Sequence, residues 1–195
     1  MPIKTLMSFM IFSAEVLNPR QKIGAAWPSG PTLTRRMASF LPTNPSGYVV
    51  ELGAGTGAIT DSLLKHGINP KRLFAVEMSE KMSGHLRKRF PKINVLTGDA
   101  AHLRELLPRK VNPDHISYIV SSLPFKVMND GLVRRIANEV RETLPEHGRL
   151  IQYTYDIRPR RNRWMDGILE RVDGSLVWTH IPPAVVDVFR PIKSA

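Results

Sequence analysis

The sequence predicts an α/β fold, a mostly parallel sheet with helices on both faces, preceded by a helical N-terminal stretch. Three observations predict it. The apolar run Tyr48-Val49-Val50 leads into Glu51-Leu52-Gly53-Ala54-Gly55-Thr56-Gly57 and then a helical pattern, which makes a strand–turn–helix unit. Two later runs, Arg72-Leu73-Phe74-Ala75-Val76-Glu77 and Ile93-Asn94-Val95-Leu96-Thr97-Gly98-Asp99, also end in an acid, at the spacing of successive βαβ units. Further on, Leu132, Ile136, Val140 and Leu144 recur every fourth position, the stripe of a helix laid on a sheet.

Taken in order, residues 1–44 carry no strand signal and read as a helical extension, and residues 45–195 read as the α/β domain. On a helix, Leu6, Phe9, Met10, Val16 and Leu17 share an apolar face, while Phe12 interrupts the polar stripe of Lys4, Ser8 and Glu15. Such a helix suits a membrane interface, with Arg20 and Lys22 meeting anionic headgroups, or a cover over the sheet or a ligand cleft. A second helix sets Leu33, Met37 and Leu41 against Arg35 and Arg36. Strands one to three are the acid-ended runs above. Strand four is Ile116-Ser117-Tyr118-Ile119-Val120-Ser121, and strand five is Arg149-Leu150-Ile151-Gln152-Tyr153-Thr154-Tyr155, with a helix over 130–144 between them. Two more strands, Leu176-Val177-Trp178 and Val185-Val186-Asp187-Val188-Phe189, flank Pro182-Pro183. Parallel neighbours joined this way require right-handed crossovers.

Composition narrows the chemistry. With no cysteine among 195 residues, disulfide, zinc-thiolate and cysteine-nucleophile chemistry are excluded, and no metal is expected. No apolar run approaches the roughly 20 residues that span a bilayer. Leu6 to Phe12 is short for a signal core, and Glu15 with Asn18-Pro19 stands where a cleavage site belongs. The net charge of +11 predicts an anionic partner, either nucleic acid or an anionic lipid surface.

The G-x-G-x-G turn after an acid, followed by Glu77 and Asp99, resembles motif I and the succeeding strand-end acids of the class I S-adenosylmethionine-dependent methyltransferases. The resemblance implies a Rossmann-like seven-stranded sheet with a late hairpin at its edge and S-adenosylmethionine as cofactor. It implies that Glu51, Gly53, Ala54, Gly55, Thr56 and Gly57 line the methionine end. Glu77 then meets the ribose and Asp99 the adenine amino group, with Met78, Gly98, Ala100 and Ser121 also binding the cofactor. An acid at position 77 can accept hydrogen bonds from both ribose hydroxyls.

Acceptor choice is read after strand four. Amino-group methyltransferases of nucleobases carry Asn or Asp, then two residues ending in Pro, then an aromatic, and the first side chain accepts from the target amino group. This chain has Ser122-Leu123-Pro124-Phe125, which departs from the rRNA adenine dimethyltransferases that the domain otherwise resembles. Gly24-Ala25-Ala26-Trp27-Pro28-Ser29, the Ser-Leu-Pro turn, Gln152-Tyr153-Thr154-Tyr155 and Val177-Trp178 with Ile181-Pro182-Pro183-Ala184-Val185 are similar to bacterial phospholipid N-methyltransferases. That resemblance implies methylation of phosphatidylethanolamine towards phosphatidylcholine at the cytoplasmic face of a membrane, and Phe125, Tyr155 and Ser122 are then expected at the reacting centre. Trp27 and Tyr153 join Phe125 and Tyr155 as faces that hold alkylammonium ions by cation–π attraction. Arg158, Arg160 and Arg161, in the run Arg158-Pro159-Arg160-Arg161-Asn162-Arg163, supply planar donor forks for a lipid phosphate. An RNA backbone is the other anion they fit. None of the six histidines stands out as general base.

Overall fold

The computed structural model describes residues 30–158, 162–178 and 183–193. The expectations for residues 1–29, including Trp27 and the apolar N-terminal helix, lie outside the described residues, as do those for Arg160, Arg161 and His180.

Seven strands form one sheet in the order β3-β2-β1-β4-β5-β7-β6. They are β1 Tyr48–Leu52, β2 Leu73–Glu77, β3 Asn94–Thr97, β4 Ile116–Ser121, β5 Arg149–Thr154, β6 Leu169–Val177 and β7 Ala184–Pro191. The first five are parallel, and β7 pairs antiparallel with both β5 and β6. This is the Rossmann-like methyltransferase sheet with its edge hairpin. Strands β1, β2 and β4 sit between helical layers, so both their faces are apolar and the runs read continuously rather than alternating.

Helices α1 Pro31–Ala38, α2 Ala58–His66 and α3 Glu80–Arg89 cover one face, and α4 Leu103–Leu106 with α5 Asp130–Thr143 covers the other. Helix α1 starts on Pro31, a residue pre-set for a first helical turn, and buries Leu33, Thr34, Met37 and Ala38. These pack with Ile59 and Leu63 of α2 and with Val49, Val120, Ile151 and Val186 of the sheet. The described part of the N-terminal stretch, residues 30–44, therefore shares the core of the α/β domain. Helix α5 is capped by the Asn129 side chain, which accepts from the Gly131 amide, and buries Leu132, Ile136 and Val140. Leu144, just past its end, completes the expected stripe.

Most strand ends differ from the sequence reading by a residue or two, and two boundaries have a plain physical cause. Arg72 lies in a 3-10 turn, Pro70–Arg72, not in β2; Asn69 caps that turn and the Arg72 guanidinium donates to the Pro45 and Ser46 carbonyls. Strand β6 begins at Leu169, well before Leu176. Its early part, Glu170-Arg171-Val172-Asp173, is exposed on the sheet edge, and the register shifts between Arg171 and Asp173. Edge strands tolerate charge and irregular pairing, which erases the apolar alternation that a strand otherwise writes into sequence.

Candidate active site

The parallel strands all end on one edge of the sheet, and there the glycine turn leaves β1. Gly53 and Ala54 donate their amides to the Val76 carbonyl, at 2.9 and 3.2 Å, which lashes the turn to β2. The backbone is left-handed at Gly53, Gly55 and Gly57, with φ of 75°, 54° and 84°. The last two glycines serve different ends. A β-carbon on Gly57 would lie 2.4 Å from the Phe90 ring, so that glycine lets α3 close on α2. A β-carbon on Gly55 would meet nothing nearer than 3.8 Å, so the turn opens there onto free space that a ligand can enter.

Glu77 clasps this turn. Its carboxylate is buried, and its two oxygens accept from the amides of Gly55 and Ser79, each at 2.9 Å. Each oxygen keeps a further lone pair for a ligand hydroxyl. Met78 is half-buried behind it. The Gly98 amide donates to the Glu77 carbonyl at 3.0 Å, which brings the loop after β3 alongside. Asp99 is half-buried, and its Oδ1 accepts from the Ala101 amide at 2.9 Å, fixing the turn that holds buried Ala100. Thr56 is half-buried in the turn, and its carbonyl accepts from Arg89.

Glu51 is the most unusual residue of the site. It is wholly buried, its Oε2 accepts from the Thr60 hydroxyl at 2.6 Å, and its Oε1 has no hydrogen-bond partner. Loss of water pushes its pKa up to about 8 against the pull of Thr60, and the nearby charge of Glu77 adds to the rise. A buried carboxyl group with an unspent oxygen can give up its proton to a cation brought beside it. The cofactor S-adenosylmethionine brings an ammonium and a sulfonium, so the residues present fit it: a glycine turn open at Gly55, paired acceptors at Glu77, and an unsatisfied acid at Glu51.

The turn after β4 borders the same space. Buried Ser121 accepts the Leu123 amide on its hydroxyl at 3.3 Å. The Ser122 amide donates to the Leu52 carbonyl at 3.0 Å, and its hydroxyl donates to the Gly53 carbonyl at 2.6 Å. The Ser-Leu-Pro turn is thereby tied to the glycine turn. Phe125, expected as an open face, is only 6% exposed and packs in the core among Leu123, Leu132, Met165 and Phe189.

Sequence reasoning quoted Gln152 within Gln152-Tyr153-Thr154-Tyr155 but gave it no role. Gln152, buried in β5 beside Ser121, donates its Nε2 to the Leu123 carbonyl at 3.1 Å and to the Tyr153 carbonyl at 2.7 Å. Two carbonyl partners fix which end is the amide nitrogen, and Oε1 is left buried with no hydrogen-bond partner. The signal for a role was an amide side chain in a strand otherwise apolar up to that point, Leu150-Ile151-Gln152.

Tyr153 and Tyr155 project to the α1 side of the sheet, their ring centroids 5.5 Å apart at 74°. Burial pushes the Tyr155 hydroxyl well above the usual tyrosine range, and the neighbouring Tyr153 reinforces it. Asp156 then turns back on the arginine run. Arg158 grips it through Nε and a terminal nitrogen, and this pairing holds the Asp156 carboxyl well below the ordinary carboxylate range. Arg158 is therefore half-neutralised by an acid two residues before it.

The site is that of an S-adenosylmethionine-dependent methyltransferase. A family profile described as a methyltransferase domain matches residues 49–148, about half of the chain, and the chain belongs to that family. It is similar to an ornithine lipid N-methyltransferase of Singulisphaera acidiphila, 28% identical over 153 residues that cover 76% of this chain and 79% of that one. It is also similar to the ribosomal RNA small subunit methyltransferase A of Parasynechococcus marenigrum, 28% identical over 68% of this chain and 43% of that one. The chain thus spans less than half of the rRNA enzyme's length. Among solved structures, the fold resembles the 1,6-didemethyltoxoflavin-N1-methyltransferase of Burkholderia thailandensis, with TM-score 0.71 and 13% identity over 97% of this chain and 88% of that one. TrmN of Thermus thermophilus gives TM-score 0.65 and 18% identity over 83% of this chain and 49% of that one. At these identities the likeness is one of fold.

Proposed function

We propose that this protein N-methylates the primary amine of a membrane lipid headgroup, with phosphatidylethanolamine as the acceptor. The observation that carries the reading is the bond from the Ser122 hydroxyl to the Gly53 carbonyl. At the position where nucleobase enzymes offer an amide or carboxylate to the target amino group, this chain has a hydroxyl already committed to its own backbone. The acceptor carbonyl nearest in register is that of Gln152, whose Oε1 is unspent.

S-adenosylmethionine supplies a methyl group on a sulfonium and leaves as a neutral thioether. The chain's share is orientation and dehydration, as expected for an in-line displacement. Gln152 Oε1 accepts from an N–H of the acceptor amine and so orients the nitrogen lone pair. Tyr153 and Tyr155 offer ring edges and faces to the alkylammonium product. Removal of water lowers the affinity of the amine for its proton, which frees the lone pair without a dedicated base. Arg158 meets the headgroup phosphate. The resemblance to an ornithine lipid N-methyltransferase over most of both chains supports a lipid amine.

The test is transfer of label from S-adenosylmethionine to vesicles of phosphatidylethanolamine, with ornithine lipid and total rRNA beside them. Label in phosphatidylethanolamine is expected. Label in ornithine lipid alone would keep the lipid class and replace the headgroup. Label confined to rRNA would overturn the reading.

A further inference from the structure

We infer that the rim of the sheet beyond β4, β5 and β6 is the face by which this protein docks on an anionic lipid bilayer. This deepens the lipid-amine reading and rests on it only for its purpose. Among the described residues, the three most exposed large apolar side chains are Val127 at 70%, Trp178 at 67% and Ile157 at 52%. Scattered exposed apolar residues are ordinary. These three are not scattered. Val127 follows β4, Ile157 follows β5 and Trp178 follows β6, and the sheet order and strand directions bring all three to the edge that carries the glycine turn. At about 4.8 Å per strand, they span roughly 14 Å from β4 to β6.

Charge names the partner. Lys126 precedes Val127 and Arg158 follows Ile157, so two neighbouring loops each present a cation beside an apolar side chain. Arg158 pairs with the buried Asp156 carboxylate, while Lys126 stands beside Val127 in a chain of net charge +11. Apolar tips that enter a headgroup layer, cations that stay in it, and a tryptophan at the boundary are what an anionic interface selects. Continuity with the site gives the arrangement a use, because a lipid headgroup then reaches the cofactor turn without its chains leaving the bilayer.

The experiment separates docking from catalysis. Sedimentation of the full chain with phosphatidylglycerol–phosphatidylcholine vesicles, which contain no amine acceptor of the proposed class, reads docking alone. The triple variant Val127→Asp, Ile157→Asp, Trp178→Ala is expected to lose at least about tenfold in vesicle affinity, from the loss of apolar insertion. The control Val172→Asp, Ile192→Asp, at exposed apolar positions off this rim, is expected to bind as the parent does. Equal thermal midpoints of the two variants establish that both fold. Brominated lipid should quench the parent's fluorescence, and Trp178→Phe should remove most of that quenching. A triple variant that sediments like the parent overturns the inference. So does quenching that Trp178→Phe leaves unchanged, which would mean that another part of the chain meets the lipid. Transfer to dihexanoyl phosphatidylethanolamine as a monomer is measured in parallel. Docking with no such transfer keeps this face and sinks the lipid-amine reading; transfer without docking does the reverse.

Discussion

Glu77 accepts the amide of Gly55 on one carboxylate oxygen and the amide of Ser79 on the other, each at 2.9 Å. One side chain thus holds the tip of the glycine turn and the first bend after β2 in a single clasp, and both pieces border the ribose end of the proposed cofactor cradle.

Replacing it by alanine removes that clasp. Glu77→Ala is expected to weaken S-adenosylmethionine binding by roughly 10- to 150-fold, from the about 1.5–3 kcal/mol of a hydrogen bond to a charged group. Titration calorimetry reads the loss. Sedimentation with anionic vesicles should be unchanged; loss of both together would mean the substitution unfolds the domain.

The glycines of the turn should separate by cause. At Gly55 a side chain has room but the wrong backbone sign, so Gly55→Ala should cost about 1–2 kcal/mol of stability and place a methyl group in the ligand's space. Cofactor affinity should fall more than stability does. Gly57→Ala adds a collision with the Phe90 ring and should cost about 2–5 kcal/mol, visible as a lower melting temperature before any ligand is added.

Glu51 sets a pH dependence whose sign follows from its burial. Its folded pKa, about 8, exceeds the ordinary 4.5, so its contribution to stability is full below about 4.5 and is lost as pH rises towards 8. Glu51→Gln should flatten the melting curve against pH across that window. Near pH 7 the acid holds its proton, and a cationic ligand favours its release. Cofactor binding in buffers of different ionisation enthalpy should therefore report proton release by the parent and none by Glu51→Gln. Identical heats in all buffers for the parent would remove Glu51 from the cofactor's surroundings.

Gln152→Leu tests the clasp on the acceptor side. It removes the side-chain amide from the Leu123 and Tyr153 carbonyls, and because the Leu123 carbonyl keeps the Phe125 amide the cost in stability is about 0.5–1.5 kcal/mol. Methyl transfer should fall by up to about tenfold, by the same measure, with cofactor affinity unchanged. If transfer and cofactor binding decline in step, Gln152 supports the fold only.

Much of this was legible in the chain because parallel strands buried on both faces are written as unbroken apolar runs. Strand β4 falls on Ile116–Ser121 as expected, and the acids closing β1, β2 and β3 lie together at one edge. Legibility failed where a residue's role depends on a distant partner. Nothing near Phe125 in sequence announces that it joins a core cluster to which Met165 and Phe189 also belong. Strand β6 was obscured for another reason: an exposed edge places no apolar demand on its residues.

The bond between Ser122 and Gly53 also bears on how such an enzyme changes its taste in substrates. Installing an asparagine at 122, the obvious route to a nucleobase amine, removes the hydroxyl that braces the cofactor turn. The route between the two chemistries therefore passes through a form with a slackened grip on its methyl donor, and a second substitution must restore the brace before the new specificity is of use.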